Sequence, residues 1–179
     1  MTYKDALTAA MQDLAKDPAI CFVGYGVRCG GRAAGTLKGI PDTQLIETPV
    51  AENLMVGMAI GLALSGRRPV VYIERFDFIL NAMDAIVNHL DKIERLSQGQ
   101  FQPSIILRVV VGNKKKPLYT GLTHTQDFTE VMRQMVSFPI VRLEHAAAIG
   151  PAYAVAHQAL QLNPGFKHST MLVELKDEI

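Results

Sequence analysis

Tryptophan is absent from this chain of 179 residues, and cysteine occurs only twice. Cys21 and Cys29 form neither a metal-ligand nor a C-x-x-C spacing, which excludes a zinc module and a disulfide scaffold. Cys21 lies in the apolar run ICFVG and reads as a small core residue, so a reduced, cytoplasmic setting is expected. Charge of one sign is lacking too. Lys and Arg total 18 against 17 Asp and Glu, and the net charge of +1 gives no electrostatic case for nucleic acid or an anionic membrane. The longest apolar helical stretch, near Leu54 to Leu64, is too short to span a bilayer. The charged, amphipathic start TYKDALTAAMQDLAKD is not a signal peptide. No G-x-S-x-G, Walker loop or paired zinc histidines occur, so a self-contained nucleophile, phosphate-loop or zinc mechanism is not indicated.

What remains is ordinary globular composition, 49% apolar and 20% charged, at a length that suits one domain. Thr2 is placed to cap a first helix with Ala6, Leu7, Ala10, Met11 and Leu14 on one face, and Asp17-Pro18 ends it. ICFVG is a short buried strand. The Gly-rich GYGVRCGGRAAG that follows lacks the G-x-G-x-x-G spacing and reads as a loop that needs positive φ. TQLIE is a second strand, Val50–Ser65 a second helix and PVVYIE a third strand. Asp77 to Leu96 reads as one long helix, with Ile79, Met83, Ile86, Val87, Leu90 and Ile93 at helical spacing. SIILRVVV is unbroken and apolar, as in a parallel strand covered on both faces. A helix near Asp127–Met135, a strand near Pro139–Leu143, a helix near Ala146–Leu162 and the strand TMLVEL complete the alternation. Without hairpin signals, this order predicts an α/β fold: a doubly wound, mostly parallel sheet of about six strands with helices on both faces.

Four features can carry chemistry. Glu52 stands in the first turn of a helix of Gly, Ala, Met and Leu, at the carboxyl end of a strand, where open α/β sheets place their ligand crevices. A helix that apolar puts the acid at a buried boundary, although a first-turn glutamate can also merely complement the helix dipole. Phe76 and Phe78 end the third strand, as core or as a stacking surface for a flat ring. His124, in the loop after the apolar strand, suits an acid–base role or a solvated one. The Lys114, Lys115, Lys116 run is either a solvated face or a site for an anion or a partner subunit.

Together these segments resemble the pyrimidine-binding domain of thiamine-diphosphate enzymes, as found in the beta subunit of the 2-oxo acid dehydrogenase decarboxylases and in transketolases. ETPVAENLMVGMAIGLALSGRRPVV is similar to the family's segment around its catalytic glutamate. ERFDFILNAMDAIVNHLDKIERLSQGQ is similar to the next strand and interface helix, including Phe78, Met83, Asp84, Ile86, Asn88 and Lys92, and GLTHTQ resembles the histidine loop. Glu52 and Phe78 stand 26 positions apart, as the family's glutamate and ring-stacking aromatic do.

The resemblance implies that Glu52 and His124 are catalytic and that Glu52, Phe78 and Asn53 meet the cofactor. Glu52 would bond the ring nitrogen of the aminopyrimidine and favour its imino tautomer, Phe78 would stack on the ring, and His124 would face the substrate. The superfamily's GDG and Asn-Asn pattern, which holds metal and diphosphate, is missing here. The implied cofactor is therefore thiamine diphosphate shared with a diphosphate-binding alpha-type subunit in an α2β2 assembly, with Mg2+ held by that partner chain. The sequence stops after TMLVELKDEI, so residues 1–179 are expected to be one pyrimidine-binding domain without the C-terminal transketolase-type domain. The implied reaction is decarboxylation of a 2-oxo acid, or transfer of the activated aldehyde or ketol unit. The alternative is a non-catalytic or regulatory binding module that keeps the fold.

Overall fold

The computed structural model describes residues 1–114, 121–162, 165 and 168–175. Helix α1 (Tyr3–Ala15) begins with a capping box. The Thr2 hydroxyl accepts the Asp5 N–H and the Asp5 carboxylate accepts the Thr2 N–H, both at 3.1 Å, so two orphan donors are satisfied at once. Its face of Tyr3, Ala6, Leu7, Ala10, Met11 and Leu14 is buried.

The strands β1 (Ile20–Gly24), β2 (Leu45–Glu47), β3 (Arg68–Ile73), β4 (Ile106–Val111), β5 (Ile140–Arg142) and β6 (Thr170–Leu175) form one sheet in the order β2-β1-β3-β4-β6-β5. Every pairing is parallel, as the strand–helix alternation predicts. All six residues of β4 are buried, because both faces of the sheet are covered. One layer holds α1 and α5 (Ala146–Gln161) against Ile106, Val110 and Leu172. The other holds α2 (Glu52–Leu64), residues 76–90 and α4 (Thr129–Met135) against Leu107, Val109 and Val173. Alternate residues of β4 thus serve opposite cores.

Arg108 breaks the apolar pattern of β4, and at 1% exposure it must be compensated where it lies. Its Nε and Nη2 donate to the two oxygens of Glu174 on β6 at 2.6 and 3.0 Å, and Nη2 also reaches the Thr36 hydroxyl at 2.8 Å. The Tyr153 hydroxyl of α5 donates to Glu174 at 2.5 Å, and the guanidinium lies 4.9 Å from the Tyr72 ring centre. Burial, with the Glu174 carboxylate beside it, pushes the Tyr153 phenol well above its usual range. One network thus ties β4, β6, α5 and the β1–β2 connection.

Two expectations are corrected. The segment from Asp77 to Leu96 is not one α-helix. It is a tight 3-10 turn (Phe76–Ala82), a wide π turn (Asp84–Leu90) and the short α3 (Ile93–Leu96). The reason is visible in its burial: Phe76, Ile79, Ala82 and Ala85 face the core at every third residue, the 3-10 period, before Ile86 and Leu90 take over. The strand read from TQLIE is confined to Leu45–Glu47. Asp42–Gln44 form a 3-10 turn, whose Gln44 side-chain amide donates to the carbonyls of Ala15, Asp17 and Ile20.

Candidate functional site at the carboxyl edge of the sheet

The chain leaves β1 for β2 along the α1/α5 face and returns to β3 through α2 on the other face. Direction therefore reverses between β1 and β3, the position at which open α/β sheets open a crevice. A cleft of about 270 Å³ lies there, lined by Tyr25, Gly26, Cys29, Glu47, Tyr72 and Glu74 among others. Its Gly-rich wall has positive φ at Gly26, Gly30 and Gly35, as expected, and also at Arg32, Ala33 and Ala34. The Glu47 carboxylate fixes that wall by accepting the backbone N–H groups of Gly26, Arg28 and Cys29 at 2.6, 2.7 and 3.1 Å. Burial pushes this carboxyl up, but the backbone donors outweigh it and hold it below the ordinary range.

Glu52 is the first residue of α2 and is 5% exposed. Thr48 at the end of β2 donates its N–H to the Gly24 carbonyl at 3.0 Å, and Pro49, Val50 and Ala51 then carry the chain into the helix. The carboxylate thus sits where unpaired helix N–H groups favour negative charge. Asn81 Nδ2 donates to Glu52 Oε2 at 3.2 Å. No cation pairs with Glu52 among the described residues.

Phe78 lies half-buried on the turn after β3, and its ring meets His124 edge-on, 5.2 Å between centres at 85°. Two contacts bring the His124 loop there from the end of β4. Gly112 lets it approach: a Cβ at that position would stand 1.7 Å from the His124 carbonyl oxygen. Asp77, buried beside Phe78, holds it by accepting the Gln126 backbone N–H at 3.3 Å and its side-chain amide at 2.9 Å. His124 Nδ1 lies 3.0 Å from the Thr123 hydroxyl.

Residues 1–107 match the family described as transketolase, pyrimidine binding domain. The chain belongs to that family. The mitochondrial pyruvate dehydrogenase E1 component subunit beta of Saccharomyces cerevisiae is 31% identical over 134 residues, which cover 72% of this chain and 36% of the yeast protein. The 2-oxoisovalerate dehydrogenase subunit beta of Bacillus subtilis is 28% identical over 146 residues, 79% of this chain and 44% of that one. A solved split gene transketolase, described as an inactive beta4 tetramer, superimposes with a TM-score of 0.72 over 98% of this chain and 52% of its own. At 14% identity, that likeness speaks to fold alone. The chain spans 36% to 48% of the length of relatives such as the yeast and Dictyostelium discoideum beta subunits.

In this pyrimidine-binding domain the sequence-predicted residues separate into two groups. Glu52, Phe78 and His124 converge at the carboxyl edge, linked through the turn at Phe76–Ala82. Asn53 follows Glu52 but is exposed, Phe76 is core and packs edge-on against Phe128, and Lys114 is exposed. Lys115 and Lys116 lie outside the described residues. Asn81, Asp77, Gln126 and Gly112 were not legible as site residues, since each acts through a contact distant in sequence.

The site suits the pyrimidine end of the expected cofactor. It offers a buried carboxylate with one oxygen already bonded, a half-buried aromatic ring, and the buried Thr48 hydroxyl, which has no partner among the described residues. Among the described residues no group of three or more His, Cys, Asp or Glu could hold a metal ion, and no helix is long and apolar enough to cross a membrane.

Proposed function

We propose that residues 1–179 form one pyrimidine-binding domain that completes a thiamine-diphosphate site with a second, diphosphate-binding chain. In this reading the protein is the pyrimidine-binding subunit of a split enzyme that decarboxylates a 2-oxo acid or transfers the resulting aldehyde or ketol unit to an acceptor. The observation that carries it is the buried Glu52 carboxylate at the α2 N-terminus, bonded to Asn81 of the same turn that carries Phe78, whose ring meets His124. The beta-subunit names of the relatives support the reaction class.

When bound, thiamine diphosphate supplies a carbon nucleophile for a substrate carbonyl and a sink for the electrons of the bond that breaks. The chain's residues do the rest. Glu52 holds a proton at the aminopyrimidine ring nitrogen, in a site dry enough to strengthen that hydrogen bond. Phe78 offers a face to the ring, its own plane held near perpendicular to that of His124. His124 moves a proton at the substrate or donates a hydrogen bond to its carboxylate, and Asn53 lies on the open side of the helix. Mg2+ and the diphosphate fall to the partner.

The surface of α2 supports a partner. Beyond Asn53 the helix is wholly apolar, yet Leu54 and Leu64, with Val50 just before the helix, are 46%, 45% and 63% exposed, and Gly57 and Gly61 between them have nothing within 4 Å of an added Cβ. Such a smooth apolar stripe is ordinarily covered. An α2β2 assembly would cover it while completing the site at its Glu52 end. The exposed free thiol of Cys29 fits a reducing, cytoplasmic compartment. The test is to co-purify the chain with the protein encoded beside it and titrate thiamine diphosphate with Mg2+. The pair should bind cofactor that neither chain binds alone, and should turn over pyruvate or 2-oxoisovalerate. Binding without turnover of any 2-oxo acid or ketose would leave the non-catalytic module. No binding would refute the proposal.

A further inference from the structure

We infer that Asn81 is the positioning residue for Glu52, fixing which carboxylate oxygen is presented to the cofactor. This rests on the reading of Glu52 as the group that meets the aminopyrimidine. A buried carboxylate needs a hydrogen-bond donor, and Asn81 is the side chain that supplies one to Glu52 among the described residues. The donor is a neutral amide, not a cation. An amide satisfies one oxygen without placing a full charge beside the other.

Geometry gives the amide a second task. The two oxygens of a glutamate are equivalent, and its terminal torsion is broad and roughly two-fold. The bond from Asn81 Nδ2 to Oε2 at 3.2 Å removes that equivalence, so Oε1 is the oxygen left for the ring nitrogen. The winding of the turn couples this to ring stacking. In a 3-10 turn, side chains three apart eclipse, and Phe78 and Asn81 are three apart. A row separate from the buried Phe76, Ile79 and Ala82 therefore carries both the stacking ring and the donor. An α-helix here would still keep the two as neighbours, but offset around the axis rather than eclipsed.

The experiment uses the complex with the diphosphate-binding chain and the variants Asn81→Leu, Asn81→Gln and Glu52→Gln, each measured for thiamine diphosphate affinity by calorimetry, for kcat and KM, and for melting temperature. Asn81→Leu keeps the size and loses the donor. Its affinity for the cofactor should fall about tenfold and its kcat more than its KM for substrate changes. Asn81→Gln, which keeps the donor, should restore affinity to within about threefold of the parent. The melting temperature of Asn81→Gln should match the parent and that of Asn81→Leu should fall by no more than a few degrees, since Asn81 is exposed and water can reach the vacated donor position. Wild-type affinity and kcat in Asn81→Leu, alongside loss in Glu52→Gln, would overturn the inference while leaving the function intact. Wild-type behaviour in Glu52→Gln would remove the functional reading and this inference with it.

Discussion

Gly112→Ala should dislodge the histidine loop, and the structure sets the size of the effect. The new Cβ would stand 1.7 Å from the His124 oxygen, 2.8 Å from its carbonyl carbon and 3.3 Å from Thr125 Cα. All three are backbone atoms, so no side chain can swing aside. Restoring ordinary contact requires the loop to retreat by roughly 1.5–2 Å. If the loop stays docked, overpacking costs about 1–3 kcal/mol. If it lifts away, Gln126 leaves the buried Asp77 carboxylate, and an unsatisfied buried acceptor costs a similar amount or more. Either route lowers the melting temperature by roughly 2–12 °C for a chain of this size. Lifting away also moves His124 by more than the ~1 Å that costs a positioned group about 100-fold in rate. The assay is thermal unfolding of the isolated chain together with hydrogen exchange at the Gln126 amide, which should lose protection. A melting temperature within about 1 °C of the parent, with Gln126 still protected, would refute the reasoning.

Gly57→Ala tests the opposite case. Nothing lies within 4 Å of the added methyl, so the isolated chain should gain about 0.5–1 kcal/mol from helix propensity, while sedimentation shows weaker assembly with the partner chain. Unchanged assembly would contradict a covered α2 face. Glu174→Gln should cost about 3–5 kcal/mol in denaturant unfolding, because it strands the Arg108 cation. The double change Arg108→Met, Glu174→Leu should cost less. Asp17 provides a pH test. Burial pushes its carboxyl up, but hydrogen bonds from His157, the Ala19 N–H and Arg68 outweigh this and bring it from 3.8 to about 2. Its folded value is depressed, so its contribution of about 2 kcal/mol is present above roughly pH 4 and lost as pH falls through 2. Asp17→Asn should flatten unfolding free energy against pH in that window, and an unchanged slope would count against the assignment.

Local chemistry made much of the fold legible. The Thr2 cap, the unbroken β4 run and the alternation of strands with helices each follow from a few neighbouring residues, and all three are present. The stretch from Asp77 to Leu96 misleads because its apolar residues fit a 3.6 repeat while the core takes every third one from Phe76 to Ala85. The site divides the same way. Glu52, Phe78 and His124 stand in the connections that follow β2, β3 and β4, at the edge where position marks them. Asn81 and Asp77 act on partners 29 and 49 residues away, which no local pattern announces. Gly112 does not carry a positive φ, so nothing local signals its need for a bare Cα; the His124 backbone that excludes a Cβ arrives from another segment.

The most direct test of the central claim is calorimetric titration of thiamine diphosphate, with Mg2+, into the assembled complex carrying wild-type or Glu52→Gln chain. The account predicts saturable binding only when both chains are present, and a loss of at least 100-fold in turnover for Glu52→Gln, in line with removal of a positioned proton-transfer group. Full activity in Glu52→Gln, or equal cofactor binding by the partner without this chain, would contradict it.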